Sequence, residues 1–352
     1  MRIAYLAALL TTLALLYFFK FTYHFRDGLP RRISKPATAA YQTVAAVTKS
    51  LVPVVISDAG TTTIELEDLS VSANRVGRRF RERKKWVENA CKRFRSETQL
   101  QRKFPKPSIR RQMIVDDKHK LIYCEVQKAG CTSWKSLILV LTGKAPNLES
   151  IGQYKVHIRE KYTTLAKSDN STQLDEKLRT YTKVMVHREP LDRLMSAYTS
   201  KFVTAVPGIF RTIGEQILRE RGGLSEQKIE TGRGVRFDEF ASYVAKYAAR
   251  PSSENVHWRP ASTLCEPCVV HYDFYASTDT LDEDTKYILN AIGAPTDLRV
   301  PHKNPAFSSR PKFRESFRSL SAEVLGKLLD LYKLDYLLFN YSMPTVSMLK
   351  AG

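Results

Sequence analysis

A chain of 352 residues is long enough for one large or two ordinary domains with an ample core. Its 43% hydrophobic and 26% charged residues are those of a globular protein, and five cysteines are too few for a disulfide scaffold. The formal net charge of +20 predicts attraction to polyanions, but no zinc-finger spacing, RNA-recognition signature or basic zipper is present, so no nucleic-acid partner is expected.

The first element is Ile3 to Phe19, "IAYLAALLTTLALLYFF", free of charge and bounded by Arg2 and Lys20. About 17 residues at 1.5 Å each reach roughly 25 Å, enough for a thin bilayer. The bulky "LLYFFKFTYHF" offers no small-residue cleavage site, so the segment reads as an uncleaved anchor rather than a signal peptide. Both readings deliver the rest of the chain to the secretory lumen. The flanking charges, Arg2 against Lys20, Arg26, Arg31 and Arg32, taken alone favour the opposite orientation. Residues from about 20 to 75 are rich in Thr, Ser, Ala and Val, with Pro30, Pro36 and Pro53, and read as a stem. From Arg75 to Lys106 the chain is strongly basic, and Val76, Phe80, Trp86, Val87, Ala90 and Phe94 leave an irregular apolar stripe on an expected helix. Its basic face is either the solvated side of a packing helix or a polyanion contact.

From about Ile109 strands and helices alternate. "HKLIYCEV" reads as a strand and "WKSLILVLTG" as a helix ending at Gly143; "YTKVMV" (181–186) is a second strand, followed by a proline-led helix in "PLDRLMSAYTSKFV". Phe237, Phe240, Val244 and Tyr247 recur at helical spacing, and "SAEVLGKLLDLYKLDYLLF" (321–339) is an amphipathic helix; both are expected in the core. This alternation predicts an α/β fold with a central parallel sheet flanked by helices.

Two loops carry chemistry. Ligands of α/β sheets bind beyond the carboxyl ends of the strands. In "QKAGCTSW", Ala129 and Gly130 allow close approach to the backbone, the amides from Gly130 to Ser133 open a helix, Thr132 and Ser133 add hydroxyls and Lys128 adds a charge. In "VMVHREPLDRLMSAY", Arg188 emerges after the strand, where its guanidinium can grip a phosphate or pair with Glu189 or Asp192; Ser196 lies about two helical turns on. Two such junctions suit a ligand with two separated phosphates.

Gln127 to Lys135, "QKAGCTSWK", is similar to the 5′-phosphosulfate loop of Golgi carbohydrate sulfotransferases, a pattern close to PKVACTNWK. Arg188 to Phe202 fits that branch's 3′-phosphate motif, "REPxxRLxSAYxxKF". "VDDKHKLIYC" (115–124), "HWRPASTLCEPCVVHYDF" (257–274) and "LYKLDYLLFNYSMP" (331–344) extend the resemblance over about residues 85–345. It is to the chondroitin 4-O-sulfotransferase and HNK-1 sulfotransferase family, sulfotransferase family 2. The resemblance implies a P-loop-like sulfotransferase fold and 3′-phosphoadenosine-5′-phosphosulfate as donor, with no metal. It implies a single-pass type II protein of the Golgi membrane, with residues 1–2 cytoplasmic, an anchor at 3–19, a luminal stem at 20–75, a catalytic domain at 76–345 and a tail at 346–352. The expected acceptor is a hydroxyl of an anionic, chondroitin-like glycan, position 4 of N-acetylgalactosamine, with dermatan or a glucuronyl-terminated glycan as alternatives. Gln127 stands where the pattern has proline, and losing the fixed φ predicts a less preorganised loop.

In roles, Lys128 is expected to neutralise the leaving 5′-phosphate, held by Gln127, Ala129, Gly130, Cys131, Thr132 and Ser133. The 3′-phosphate is expected on the stretch Arg188, Glu189, Pro190, Leu191, Asp192, Arg193, Leu194, Met195 and Ser196. The acceptor needs a general base, for which His157 in "YKVHIREKY" is expected, with His257 second and Glu189 as a carboxylate alternative. Arg78, Arg79, Lys84, Lys85 and Arg159 are candidates for the acceptor's charges. Cys265 and Cys268 have CxxC spacing without a second pair, which favours one or two disulfides over zinc and leaves at least one cysteine unpaired. Asn170 and Asn340 head glycosylation sequons. A glycan-binding protein of weak activity and a nucleotide phosphotransferase are the competing readings.

Overall fold

The computed structural model describes residues 62–94, 103–152, 155–167, 170–204, 208–247, 256–295, 297–300 and 315–351. These residues, Thr62 aside, belong to the unit Thr63–Gly352. Residues 1–2, the expected anchor, most of the expected stem (20–61) and Tyr247's side chain lie outside the described part. Among the described residues no helix is long and apolar enough to cross a membrane.

Helix α1, Thr62–Arg93, carries the basic run. Val76, Phe80, Val87 and Ala90 are buried, whereas Trp86 is 46% exposed and donates its Nε1–H to the Leu337 carbonyl at 2.9 Å. A tight turn then joins strands β1, Met113–Asp116, and β2, Leu121–Cys124. Helix α2, Cys131–Leu141, follows β2; Gly143, in the left-handed region with φ of 68°, bonds back to Val140 just past its end. Helix α3, Ser171–Thr180, leads into β3, Thr182–His187. Helix α4, Pro190–Tyr198, runs on into a π-helical turn, Thr199–Val203. Helices α5, Ile209–Arg221, and α6, Phe237–Tyr247, precede β4, Phe274–Ser277. Helices α7, Leu281–Ala291, and α8, Ala322–Leu338, follow.

The sheet has the order β1-β2-β3-β4. β2, β3 and β4 are parallel, with Leu121 opposite Thr182 and Val184 opposite Phe274. The expected parallel sheet therefore needs one correction: β1 pairs antiparallel with β2, Met113 opposite Cys124. Only Asp117–Lys120 separate the two strands, and so short a link can make a hairpin but not the crossover of a dozen or more residues that a parallel pair requires. Strands β1, β2 and β4 are buried throughout, as sheets covered on both faces are.

Two apolar clusters divide the interior. One wraps the sheet with α1, α2 and α7 and includes Trp134 stacked on Tyr123 at 5.1 Å. The other joins α4, the π turn, α5, α6 and α8 around Phe240 and Trp258. Two disulfides cross the first cluster: Cys91 of α1 to Cys268, and Cys124 at the end of β2 to Cys265. The CxxC pair thus staples two different elements, and Cys131 is the free cysteine, buried at the start of α2.

Candidate active site

The parallel strands bring the loops after β2 and β3 to one edge of the sheet. In the first loop Lys128 has φ of 68° and Gly130 φ of 79°. A left-handed lysine is strained by about 1–2 kcal/mol and persists only where its surroundings impose it. Gly130 is needed for shape as well: a Cβ there would meet Leu281 Cδ2 at 2.9 Å. The backbone N–H groups of Gly130, Cys131, Thr132 and Ser133 make no backbone hydrogen bond among the described residues, and the Thr132 and Ser133 hydroxyls have no side-chain partner there. Free amides at the positive end of an 11-residue helix favour an anion.

The loop is held from outside. Arg193, 1% exposed, donates from Nε to the Gln127 carbonyl at 2.8 Å, from Nη1 to the Arg259 carbonyl at 2.7 Å and from Nη2 to the Val256 carbonyl at 3.3 Å. One buried guanidinium therefore ties the first loop, α4 and the segment holding His257. Gln127 adds a bond of 3.4 Å from its side chain to Gln112, and the Cys124–Cys265 disulfide pins the base of the loop to the same segment. These ties act where the proline of the resembling pattern is missing.

The second junction differs from the first. Glu189 caps α4 by accepting from the Asp192 amide, and its other oxygen takes the Tyr336 hydroxyl. Burial raises the Glu189 carboxyl's pKa, and its oxygens are occupied by these bonds. Pro190, Leu191, Arg193 and Leu194 are buried. Arg188, half-buried, donates one bond to the Lys128 carbonyl at 3.3 Å, which leaves most of its donors uncommitted among the described residues, and Ser196 has no side-chain partner there.

Burial pushes the Lys128 ammonium down to about 8; the Cys131 thiol opposes the shift, while the charges of Lys201, Arg188 and Arg193 reinforce it. Among the described residues no carboxylate pairs with Lys128, Arg188 or Lys201. Lys201 lies on the π turn, its ammonium 4.7 Å from the centre of the Phe210 ring. Lys201 is the lysine of the motif running from Arg188 to Phe202, a position to which the sequence alone assigns no role.

Both candidate histidines face the cluster. His157 stands at an exposed rim; partial burial lowers its pKa, with Lys135 the strongest charge acting on it, opposed by Glu125, and with Lys201 and Lys128 adding. Lys135 and Glu125 themselves form a buried pair at 3.1 Å, with the ammonium 5.0 Å above the Tyr162 ring. His257 lies edge-on to Phe210 at 5.0 Å, its Nδ1 buried without a hydrogen-bond partner. Burial, then Lys201, Lys128 and Arg193, push it down to about 2. Two further histidines have other partners: His119 bonds Asp116 at 2.6 Å beside the β-hairpin turn, and His187 is buried against Phe339 and bonds the Tyr341 hydroxyl at 2.8 Å.

Helix α8 supplies a support that its apolar periodicity concealed. Asp335, buried, accepts from the amides of Ala261 and Ser262 at 2.6 and 2.8 Å, and the Tyr332 hydroxyl donates to the Trp258 carbonyl. The basic face of α1 divides in two. Arg79 and Lys84, expected to meet an acceptor, are paired instead: Arg79 with Asp284 at 2.6 Å and Lys84 with Asp273 at 3.1 Å. Asp284 is fully buried and also accepts from Arg83, so Arg79 and Arg83 are engaged in packing α1 onto α7, while Lys84 ties α1 to the residue before β4. Arg78, Lys85 and Arg159 are exposed, as are Asn170 and Asn340. Among the described residues no group of three or more His, Cys, Asp or Glu could hold a metal.

The fold is that of an α/β protein whose parallel strands end in a helix opening suited to an anion. Residues 111–342 match the Sulfotransferase family. Carbohydrate sulfotransferase 8 of Homo sapiens is 35% identical over 269 residues, 75% of this chain and 62% of that protein. Carbohydrate sulfotransferase 9 of Homo sapiens is 36% identical over 236 residues, 65% of this chain and 53% of that protein. Carbohydrate sulfotransferase 11 of Rattus norvegicus is 33% identical over 268 residues, 74% of this chain and 76% of that protein. The chain thus spans less than two thirds of the first two relatives and about three quarters of the third. No solved structure shows significant similarity. The chain belongs to the sulfotransferase family.

Proposed function

We propose that this chain is a carbohydrate sulfotransferase that uses 3′-phosphoadenosine-5′-phosphosulfate to sulfate a hydroxyl of an anionic glycan, position 4 of N-acetylgalactosamine in a chondroitin-like chain. The observation that carries the reading is the meeting of Lys128 and Arg188 beside the open amino end of α2 with no carboxylate partner among the described residues. Half-buried cations without counter-charges carry a desolvation cost, and a ligand with separated phosphates supplies the missing anions. The relatives' names support the carbohydrate class.

The donor substrate supplies an activated sulfuryl group: its sulfur–oxygen bond to the 5′-phosphate breaks with the electron pair, and a new bond forms from sulfur to the acceptor oxygen. Lys128 and the amides of 130–133 hold the 5′-phosphate and stabilise the charge that develops on it. Arg188 and Ser196 hold the 3′-phosphate. His157 takes the acceptor proton. It is exposed and so can pass that proton to solvent, whereas burial and the neighbouring cations weaken His257 as a base. The +20 charge favours an anionic glycan acceptor, and the two disulfides and two exposed sequons support a luminal catalytic domain on a Golgi anchor.

The test is transfer from radiolabelled donor to desulfated chondroitin, dermatan, heparosan and a glucuronyl-terminated oligosaccharide. Label on chondroitin that lyase digestion recovers as a 4-sulfated disaccharide is the expected result. Donor binding with no transfer to any acceptor would favour a glycan-binding protein instead. In parallel, His157→Ala is expected to abolish most turnover with saturating acceptor; near-normal turnover would remove His157 as the base.

A further inference from the structure

Lys201 has the position of a group that acts on the reaction rather than on the fold. It is half-buried, which for a lysine demands a compensating interaction. The compensation visible among the described residues is the face of Phe210, 4.7 Å away, which holds the ammonium without neutralising it. The turn that carries it is π-helical, a conformation concentrated at functional sites. Phe202, the next residue, is buried in the helical core against Phe240 at 5.1 Å and fixes that turn.

The location is specific. Phe210 touches Lys201 on its face and meets the imidazole of His257 edge-on at 5.0 Å. The charge of Lys201 is also felt by Lys128 on the donor loop and by His157 on the exposed rim. Arg193 donates to the carbonyls of Val256 and Arg259, on either side of His257, and to that of Gln127 next to Lys128, so Lys201 borders the segment tethered to the donor loop.

We propose that Lys201 is a second catalytic cation, its ammonium placed on the sulfuryl oxygens as the group passes from donor to acceptor; this rests on the sulfotransferase reading above. Lys128 then answers the charge growing on the leaving phosphate, and Lys201 the charge of the group in flight. The bonds broken and formed are those given above, and Lys201 keeps its proton throughout.

The experiment compares Lys201→Met, which keeps the aliphatic stem against Phe210, and Lys201→Arg with the wild-type full chain. Calorimetry measures affinity for 3′-phosphoadenosine-5′-phosphosulfate and for adenosine 3′,5′-bisphosphate, which has both phosphates but no sulfuryl group. The expected result for Lys201→Met is an unchanged bisphosphate affinity, loss of any preference for the sulfated donor, and turnover lower by about 10²–10³-fold. Lys201→Arg is expected to recover part of the turnover. Parallel loss of both affinities would make Lys201 a phosphate ligand and overturn the proposal; so would unchanged turnover, or a rise in acceptor KM alone. Melting curves identify a misfolded variant, in which case Lys201→Gln, which also lacks the charge, decides by the same affinity ratio. If the wild type binds the donor but sulfates no acceptor, the acceptor assignment fails while the ratio still decides on Lys201. If it binds neither nucleotide, both readings fall.

Discussion

Replacing Arg193 by lysine separates a tether from a ligand. The resemblance places Arg193 within the 3′-phosphate stretch, yet its guanidinium is 1% exposed and spans three carbonyls, those of Gln127, Arg259 and Val256, at 2.8, 2.7 and 3.3 Å. A lysine ammonium is a point charge and cannot reproduce that fork. It can satisfy one of the two short bonds; the other and the longer third are lost. Hydrogen bonds to charged groups contribute about 1.5–3 kcal/mol each, so losing two costs roughly 3–6 kcal/mol, a large part of the 5–15 kcal/mol typical of a domain. Freeing the Gln127 carbonyl also removes a constraint that holds Lys128 in its left-handed conformation. Urea denaturation and donor calorimetry are the assays. The expected outcome is a lower midpoint together with at least about tenfold weaker donor binding, the equivalent of 1.4 kcal/mol. Wild-type stability with lost donor binding would refute the reasoning and make Arg193 a direct phosphate ligand.

Gly130→Ala is expected to weaken donor binding, because a Cβ at φ of 79° costs about 1–2 kcal/mol and also meets Leu281. Adding Leu281→Ala should relieve only the contact, and full recovery of affinity in the double variant would show that the backbone conformation is immaterial. Converting Cys124 and Cys265 to serine opens a closure of 141 residues and should cost roughly 4–5 kcal/mol in the chain-entropy model, with weaker donor binding because Cys124 sits just before the loop. A change under about 1 kcal/mol in denaturant unfolding would argue that this staple does not constrain the chain. Burial holds His187 neutral, down to about 3 from 6.5. Its folded value lies below its unfolded one, so its contribution is complete above pH 6.5 and declines as pH falls towards 3, by up to about 1.4 kcal/mol per pH unit. Melting temperature should therefore drop between pH 7 and 5, and the drop should shrink in His187→Asn; identical profiles would exclude this imidazole as the cause.

Local pattern carried much of the architecture. The strands at 121–124 and 182–187 and the helices after them follow from apolar runs interrupted by Gly130 and Pro190, because turn chemistry and periodicity are short-range properties. The β-hairpin that makes the sheet mixed was less visible: "MIVD" is too short to announce itself, and its direction follows from a link length rather than a propensity. The apolar stripe on α1 was legible, but the partners of its basic face were not, since Glu283 and Asp284 lie about 200 residues away and pair with Arg79 only through packing.

Chain order by itself determined which residues could hold an anion, because a small-residue turn before a helix and an arginine after a strand are local arrangements. Tertiary structure decided how those residues are divided. It turned Arg193 inward as a tether, committed Glu189 to a helix cap and Tyr336, and set Asp335 beneath the His257 segment. It also set the charge of Lys201 against that of Lys128 across 72 intervening positions. The reason is physical: a side chain's charge and geometry are written in its residue type, but its partners depend on which distant carbonyls and carboxylates the packed core delivers within hydrogen-bond reach.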